Sequence, residues 1–390
     1  MPILFLVLAA VFFDLLGLGL IRPILPLYVQ ATFGVDVFLV SWIPMAFGVG
    51  KIVANLPAGI FMDRLGRWRL MALGLALVAT VDALSALESA FSRFLLWRTL
   101  AGFGFGLFVT TAVTSVLDLA PAAQRSRYVS SYLLVGDLGS VAGAAAGGWI
   151  YEHLGARIPF FAKALLAAIA ATLAGKTRVR GGAGPAASLS APGRALRLPG
   201  LLPLAALNMV LFVADVAAVA FLFPLFLADR GLTPGTIGVL VSLVAGSQLV
   251  SLVLGSRAAD RWGRVTVLAT ALFLYAAGVL LLATRSSIGG LVAAVVIVGI
   301  GSGMARGIPP ALVGDMADPP LRSSAMATFR TFTDLGMVAG PGVLGLVARG
   351  AGYGMAFFTV AGLLVLALGL LIPVSRQLGM GTAQAPPRIR

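Results

Sequence analysis

The sequence predicts an all-α integral membrane protein, with twelve transmembrane helices in two pseudo-symmetric six-helix bundles. Three observations carry that expectation. Hydrophobic residues make up 59% of the 390 residues and charged ones 11%, with a mean hydropathy of +1.02, so there is too little polar surface for a water-soluble protein. The apolar runs last about 20 residues, enough for a helix to cross the hydrocarbon core with its backbone polar groups satisfied internally. The chain also repeats itself: GIFMDRLGR, from Gly59 to Arg67, returns as DRWGR from Asp260 to Arg264, and Asp63 and Asp260 stand 197 residues apart.

The first span, Ile3 to Tyr28, lacks a leading basic region and a cleavage site and carries Asp14 inside its apolar run, so it reads as a membrane helix rather than a signal peptide. Spans two to six are expected at Val37 to Met62, Leu70 to Ala90, Phe94 to Leu117, Arg125 to Tyr151 and Pro159 to Ala174. They close a first bundle over residues 1–174. Residues 175–199 are rich in Gly, Pro, Ser and Arg and contain no acid, the composition of a linker. Spans seven to twelve follow at Gly200 to Leu227, Thr236 to Ser256, Val265 to Ala283, Ile288 to Val313, Ser323 to Ala348 and Met355 to Pro373. They form a second bundle over residues 200–374, with a tail at 375–390.

The repeat extends beyond its signature. At the 197-residue offset Gly102, Gly104 and Gly106 meet Gly299, Gly301 and Gly303, Asp118 meets Asp315, and Asp137-Leu138-Gly139 meets Asp334-Leu335-Gly336. An offset of 198 aligns Pro26 with Pro224. Six spans return the chain to the side it started from, so the duplication is parallel.

Placement explains the net charge of +14. Seventeen Lys and Arg fall after even-numbered spans and five after odd-numbered ones, a topology signal that puts both termini in the cytoplasm and argues against nucleic acid as the partner. With no cysteine and one histidine, His153, the sequence offers no thiolate metal site or disulfide. The GFGFG run at Gly102 to Gly106 is intramembrane and has no following lysine, so it reads as close helix packing rather than a phosphate loop.

Eleven ionisable residues fall inside spans: Asp14, Arg22, Lys51, Asp82, Arg98, Asp137, Lys163, Asp215, Arg306, Arg330 and Asp334. Each costs roughly 2.5 to 3.5 kcal/mol at the bilayer centre unless paired or wetted, and their near balance of sign points to pairs around a polar cavity. Asp14 lies about 16 Å into its span, near the midplane, where an ionised carboxylate is costly. It is the first candidate to carry a coupling proton, with Asp215, Asp334, Asp137 and Arg98 beside it. Arg22, Lys51, Asn55, Asn208, Gln248, Arg306 and Arg330 are candidate substrate contacts. Arg330, one turn before Asp334, is also placed to neutralise it, and Lys163, near a span end, is expected to snorkel.

On these residues the chain resembles the major facilitator superfamily. Its loop signature GxxxDRxGR is present at Gly59, Asp63, Arg64, Gly66 and Arg67, and its span-four RxxxG at Arg98 and Gly102. The opening DLLGLGLIRPILPLY from Asp14 is similar to the twelve-helix drug/metabolite:proton antiporter subgroup, although Ala144 stands at that subgroup's span-five proline and Gly-Pro occurs at Gly340-Pro341. The resemblance implies a major facilitator fold, with a cavity lined by spans one, two, four, five, seven, eight, ten and eleven. It also implies a gate at Asp63, Arg64, Arg67, Asp260, Arg261 and Arg264, with Gly66 and Gly263 between them.

The expected activity is secondary active transport by alternating access, as proton-coupled export of a small amphipathic compound or drug. The alternatives are proton-coupled nutrient uptake and lysolipid or lipid transport; a polytopic membrane enzyme would need a clustered catalytic constellation that the sequence lacks. The energy source is a proton gradient without a cofactor, and the expected partners are a small-molecule substrate, protons and the lipid bilayer. The expected setting is a bacterial cytoplasmic membrane, with the chain as a monomer.

Overall fold

The structure, a computed structural model, describes residues 2–121, 124–177, 198–285, 287–317 and 321–377. Most of the linker (178–197) and tail (378–390) lies outside the described residues, as do the side chain of Asp63 and the surroundings of Gly59. Among the described residues the fold is twelve helical spans, α1 to α12.

In the first half, α1 has two segments, Pro2–Ile21 and Leu25–Phe33, and α2 has two, Val37–Val40 and Trp42–Leu65. They are followed by α3 (Arg67–Leu87), α4 (Phe91–Leu119), α5 (Arg125–Leu154) and α6 (Ile158–Lys176). In the second half α7 covers Leu201–Asp229, with a wide π-helical stretch at Val213–Leu222, followed by α8 (Pro234–Trp262) and α9 (Arg264–Thr284). α10 has segments Ile288–Arg306 and Ile308–Met316. The last 56-residue helix, Arg322–Gln377, turns at Gly352 and holds α11 (322–351) and α12 (353–377). Among the described residues eleven helices are long and apolar enough to cross a membrane, and the last of them contains two crossings.

The break in α1 has a local cause. Pro23 supplies no N–H to the ladder and disfavours helical backbone at Arg22, so the chain restarts at Leu25 with Pro26 in its first turn. In the copy, Pro224 likewise opens the terminal segment Phe223–Asp229 of α7.

The duplication is visible in the backbone. Gly34, Gly66 and Gly155 have φ of 63°, 80° and 110°, and their partners 197 residues on, Gly231, Gly263 and Gly352, have 79°, 87° and 85°. At Gly66 and Gly263, ψ is 152° and 141°, a combination essentially confined to glycine, which explains the glycine of the DRxGR loops. Side chains repeat as well: Arg67 pairs with Asp118 and, 197 residues on, Arg264 pairs with Asp315.

Each half packs in the same order. α1 lies on α5 and α6, α2 on α4, and α3 on α4 and α6, while α7 lies on α11, α8 on α10 and α9 on α10. Between halves, α5 meets α8 and α2 meets α11. The approach is closest near the end opposite the DRxGR loops, where a Cβ on Gly148 would stand 3.0 Å from the Cα of Gly238. There the Gly235 N–H donates to Glu152 at 2.7 Å, and Arg349 pairs with Asp36 at 3.1 Å.

Candidate functional site

A central cavity of about 260 Å³ lies between the halves, walled by α1, α2, α4, α7 and α11. Most of its lining is apolar, including Phe47, Phe105 and Phe221, with Arg22, Lys51 and Arg98 as the charged groups. It is near the lower end of ligand pockets, roughly 300–1,000 Å³.

Among the described residues, three ion pairs besides Arg349–Asp36 cross between the halves. Arg22 of α1 meets Asp215 of α7 at 3.6 Å, Lys51 of α2 meets Asp334 of α11 at 3.4 Å, and Arg306 of α10 meets Asp137 of α5 at 3.4 Å. These contacts are longer than a tight charge-assisted hydrogen bond, about 2.7–2.9 Å. Asp215 lies in the π-helical stretch and also accepts from Gln248 at 2.9 Å, while Gln248 donates to Ser302 at 2.9 Å. Asp334 takes Lys51, from the other half, rather than the adjacent Arg330, which is exposed.

A second cluster lies inside the first half. Asp82 of α3 is fully buried and pairs with both Arg98 of α4 and Lys163 of α6. Arg98 is 2% exposed, donates to Ser85 at 2.9 Å and stacks over the rings of Phe94 and Phe160 at 5.5 and 6.0 Å. Lys163 therefore does not snorkel: 3% exposed, it is held inside by the charge of Asp82, and Gly17 of α1 leaves room for its stem. Arg98, grouped with Asp14 as a coupling candidate, takes Asp82 as its partner.

Asp14 is 1% exposed, its Oδ2 has no hydrogen-bond partner among the described residues, and Lys163 and Asp82 are the charges that act on it. It faces the interior of the first half and is not among the residues lining the cavity. An unpaired carboxylate oxygen in such a place is expensive in its ionised form, so the cluster can bind a proton.

Among the other candidates, Arg22, Lys51 and Arg98 line the cavity, while Asn55, Asn208, Gln248, Arg306 and Arg330 do not. Asn208 donates to Thr333 at 2.7 Å within the second half, and Asn55 accepts from Thr110 at 3.1 Å within the first. In the loops Arg64, Asp260 and Arg261 are exposed, whereas Arg67 and Arg264 form the repeated pairs with Asp118 and Asp315. Asp82 and Lys163 lie on spans three and six, outside the eight spans that the family resemblance assigns to the cavity. Their signal was present: opposite charges in two spans, each needing a buried partner.

Comparison with known proteins agrees with this architecture. The family model described as Major Facilitator Superfamily matches twice, over residues 7–213 and 205–387. Multidrug resistance protein 2 of Bacillus subtilis (strain 168) is 31% identical over 173 residues, 43% of this chain and 42% of that protein. The quinolone resistance protein NorA of Staphylococcus aureus is 24% identical over 151 residues, 39% of this chain and 38% of that one. The matches thus span about two-fifths of these relatives. The crystal structure of a mutant of the nucleoside transporter NupG superposes with a TM-score of 0.80 at 15% identity, covering 95% of this chain and 99% of that one, a likeness of fold. The chain belongs to the Major Facilitator Superfamily and is a multi-pass membrane protein.

Proposed function

We propose that the chain is a proton-coupled transporter that moves a small amphipathic compound through the central cavity by alternating access. The observation that carries the coupling is the buried cluster of Asp14, Asp82, Arg98 and Lys163. It holds a carboxylate oxygen without a partner, and Arg98 connects it to the cavity wall. Asp14 is the proton carrier in this reading, and Asp215, Asp334 and Asp137 are released or captured as the inter-half pairs break and form. The direction supported by the two drug-resistance relatives is export in exchange for protons. A second reading, proton-coupled uptake, is favoured by the three basic side chains on the cavity wall.

The excess of loop arginines supports a cytoplasmic DRxGR end in a bacterial cytoplasmic membrane, where the chain acts as a monomer in this reading. Asp63, Arg64, Arg67, Asp260, Arg261 and Arg264 then form the cytoplasmic gate, so Asp63→Asn slows transport while substrate binding persists. The test of coupling uses purified protein in liposomes with an imposed pH gradient and a panel of lipophilic cations, antibiotics, carboxylates and lysolipids. Compound-driven proton flux is expected in the wild type and is lost in Asp14→Asn; undiminished flux in that variant contradicts the role of Asp14.

A further inference from the structure

The cavity wall carries three cations, Arg22, Lys51 and Arg98, and no carboxylate among its described lining residues. The partners Asp215 and Asp334 stand 3.6 and 3.4 Å from Arg22 and Lys51, with 31% and 20% of their side chains accessible, and are not among the lining residues. Arg22 and Lys51 keep 34% and 25% of their side chains accessible, so a ligand can reach them. Arg98, at 2%, is committed to Asp82 and contributes its field rather than a contact. The remaining wall, with Phe47, Phe105 and Phe221, suits an apolar body.

We infer that the compound carried is an amphipathic organic anion, a carboxylate or similar monoanion on an apolar body, held with its charge between Arg22 and Lys51. The inference rests on the reading of this cavity as the transport site. An anion there replaces Asp334 on Lys51 and Asp215 on Arg22 with charge-assisted hydrogen bonds of shorter reach. A lipophilic cation would meet the side chains of Arg22 and Lys51 on the wall and find the carboxylates it needs, Asp215 and Asp334, already paired with them.

The same charges set the sign of coupling. Behind the wall Arg98 and Lys163 carry two positive charges against one on Asp82, a net of +1 when Asp14 is neutral and zero when it is ionised. Tyr132 of α5 also faces Asp14 and is uncharged at neutral pH. A proton on Asp14 and an anion in the cavity therefore stabilise each other. Mutual stabilisation is the linkage of co-transport, whereas exchange requires competition. The anion inference thus selects proton-coupled uptake over exchange.

The test is calorimetric titration of the full chain in phosphatidylcholine nanodiscs with three probes on one skeleton: 4-phenylbutyrate, its neutral amide and 4-phenylbutylamine. The acid is expected to bind about tenfold or more tighter than the other two. Arg22→Gln and Lys51→Gln should each weaken the acid by about tenfold while leaving the amide within about twofold, which also certifies folding. Repeating the titration in buffers of different ionisation enthalpy should show proton uptake with the acid, reduced in Asp14→Asn. Equal or tighter binding of the amine or amide, or no binding of the acid at millimolar concentration, overturns the inference. Preference for the amine with compound-driven proton flux intact sinks the anion and leaves the transport reading standing. Acid-selective binding without any flux does the reverse.

Discussion

The two halves share a fold and differ in what fills it. In the first half Asp14, Asp82, Arg98 and Lys163 lie buried together. At the 197-residue offset the second half has Leu211, Val279, Val295 and Val360, all buried, and the 198 offset replaces Leu211 by Phe212. Four charged positions in one copy are thus apolar in the other. The second half shows that the six-helix unit closes around a hydrocarbon core, so the charges of the first are not required by the architecture. Buried ion clusters are weak contributors to stability compared with well-packed apolar groups, which makes retention of this one an argument for function.

The largest test breaks the cluster in part and then entirely. Asp82→Val alone leaves Arg98 and Lys163 buried without their counter-charge and should cost about 3–5 kcal/mol, read as a fall in Tm in detergent. The joint replacement Asp14→Leu, Asp82→Val, Arg98→Val and Lys163→Val, which copies the second half, should recover most of that loss. A quadruple variant less stable than Asp82→Val would break the comparison.

Next come the glycines where the halves meet. A Cβ on Gly148 runs into the backbone at the Pro234 carbonyl and Gly238, whereas one on its counterpart Gly345 meets the Ser41 side chain at 2.8 Å. The clash at Gly148 is the closer, against the Pro234 carbonyl oxygen, so Gly148→Ala should disfavour this meeting by about 1–3 kcal/mol and Gly345→Ala by less. Crosslinking of paired cysteines at that end reads the difference.

Smaller again is the repeated loop pair. Arg67 is 8% exposed and Arg264 34%, so Arg67→Gln should cost about 1–3 kcal/mol and Arg264→Gln under about 1 in thermal unfolding.

The smallest effect belongs to Glu88, which stands where the second half has Arg285. The Ala90 N–H, the Trp97 indole, the Ser89 N–H and Arg93 hold its carboxyl down to about 2 from an ordinary 4.5. A lowered value stabilises the fold above about pH 4.5 and loses that contribution as pH falls through about 2. Across that window the Tm of the wild type should fall slightly more than that of Glu88→Gln.

The spans and the duplication were legible because a bilayer imposes a long apolar run on each crossing and the copied DRxGR loops kept their spacing. Gly66 and Gly263 were legible as a motif, and the structure adds the positive φ that demands them. The partners were not legible. Lys51 with Asp334, Arg306 with Asp137 and Lys163 with Asp82 join residues 283, 169 and 81 positions apart, and which face of each helix turns toward which neighbour is set by packing. Counting charges per span found all of these residues, but span-end position misread Lys163, whose burial depends on Asp82.

The central claim, that the buried charges of the first half serve coupling and not folding, is tested most directly by the quadruple variant in liposomes under a pH gradient. The account predicts a folded transporter that still moves a labelled compound down its own gradient but no longer moves protons with it. Compound-driven proton flux at the wild-type level in that variant would contradict it.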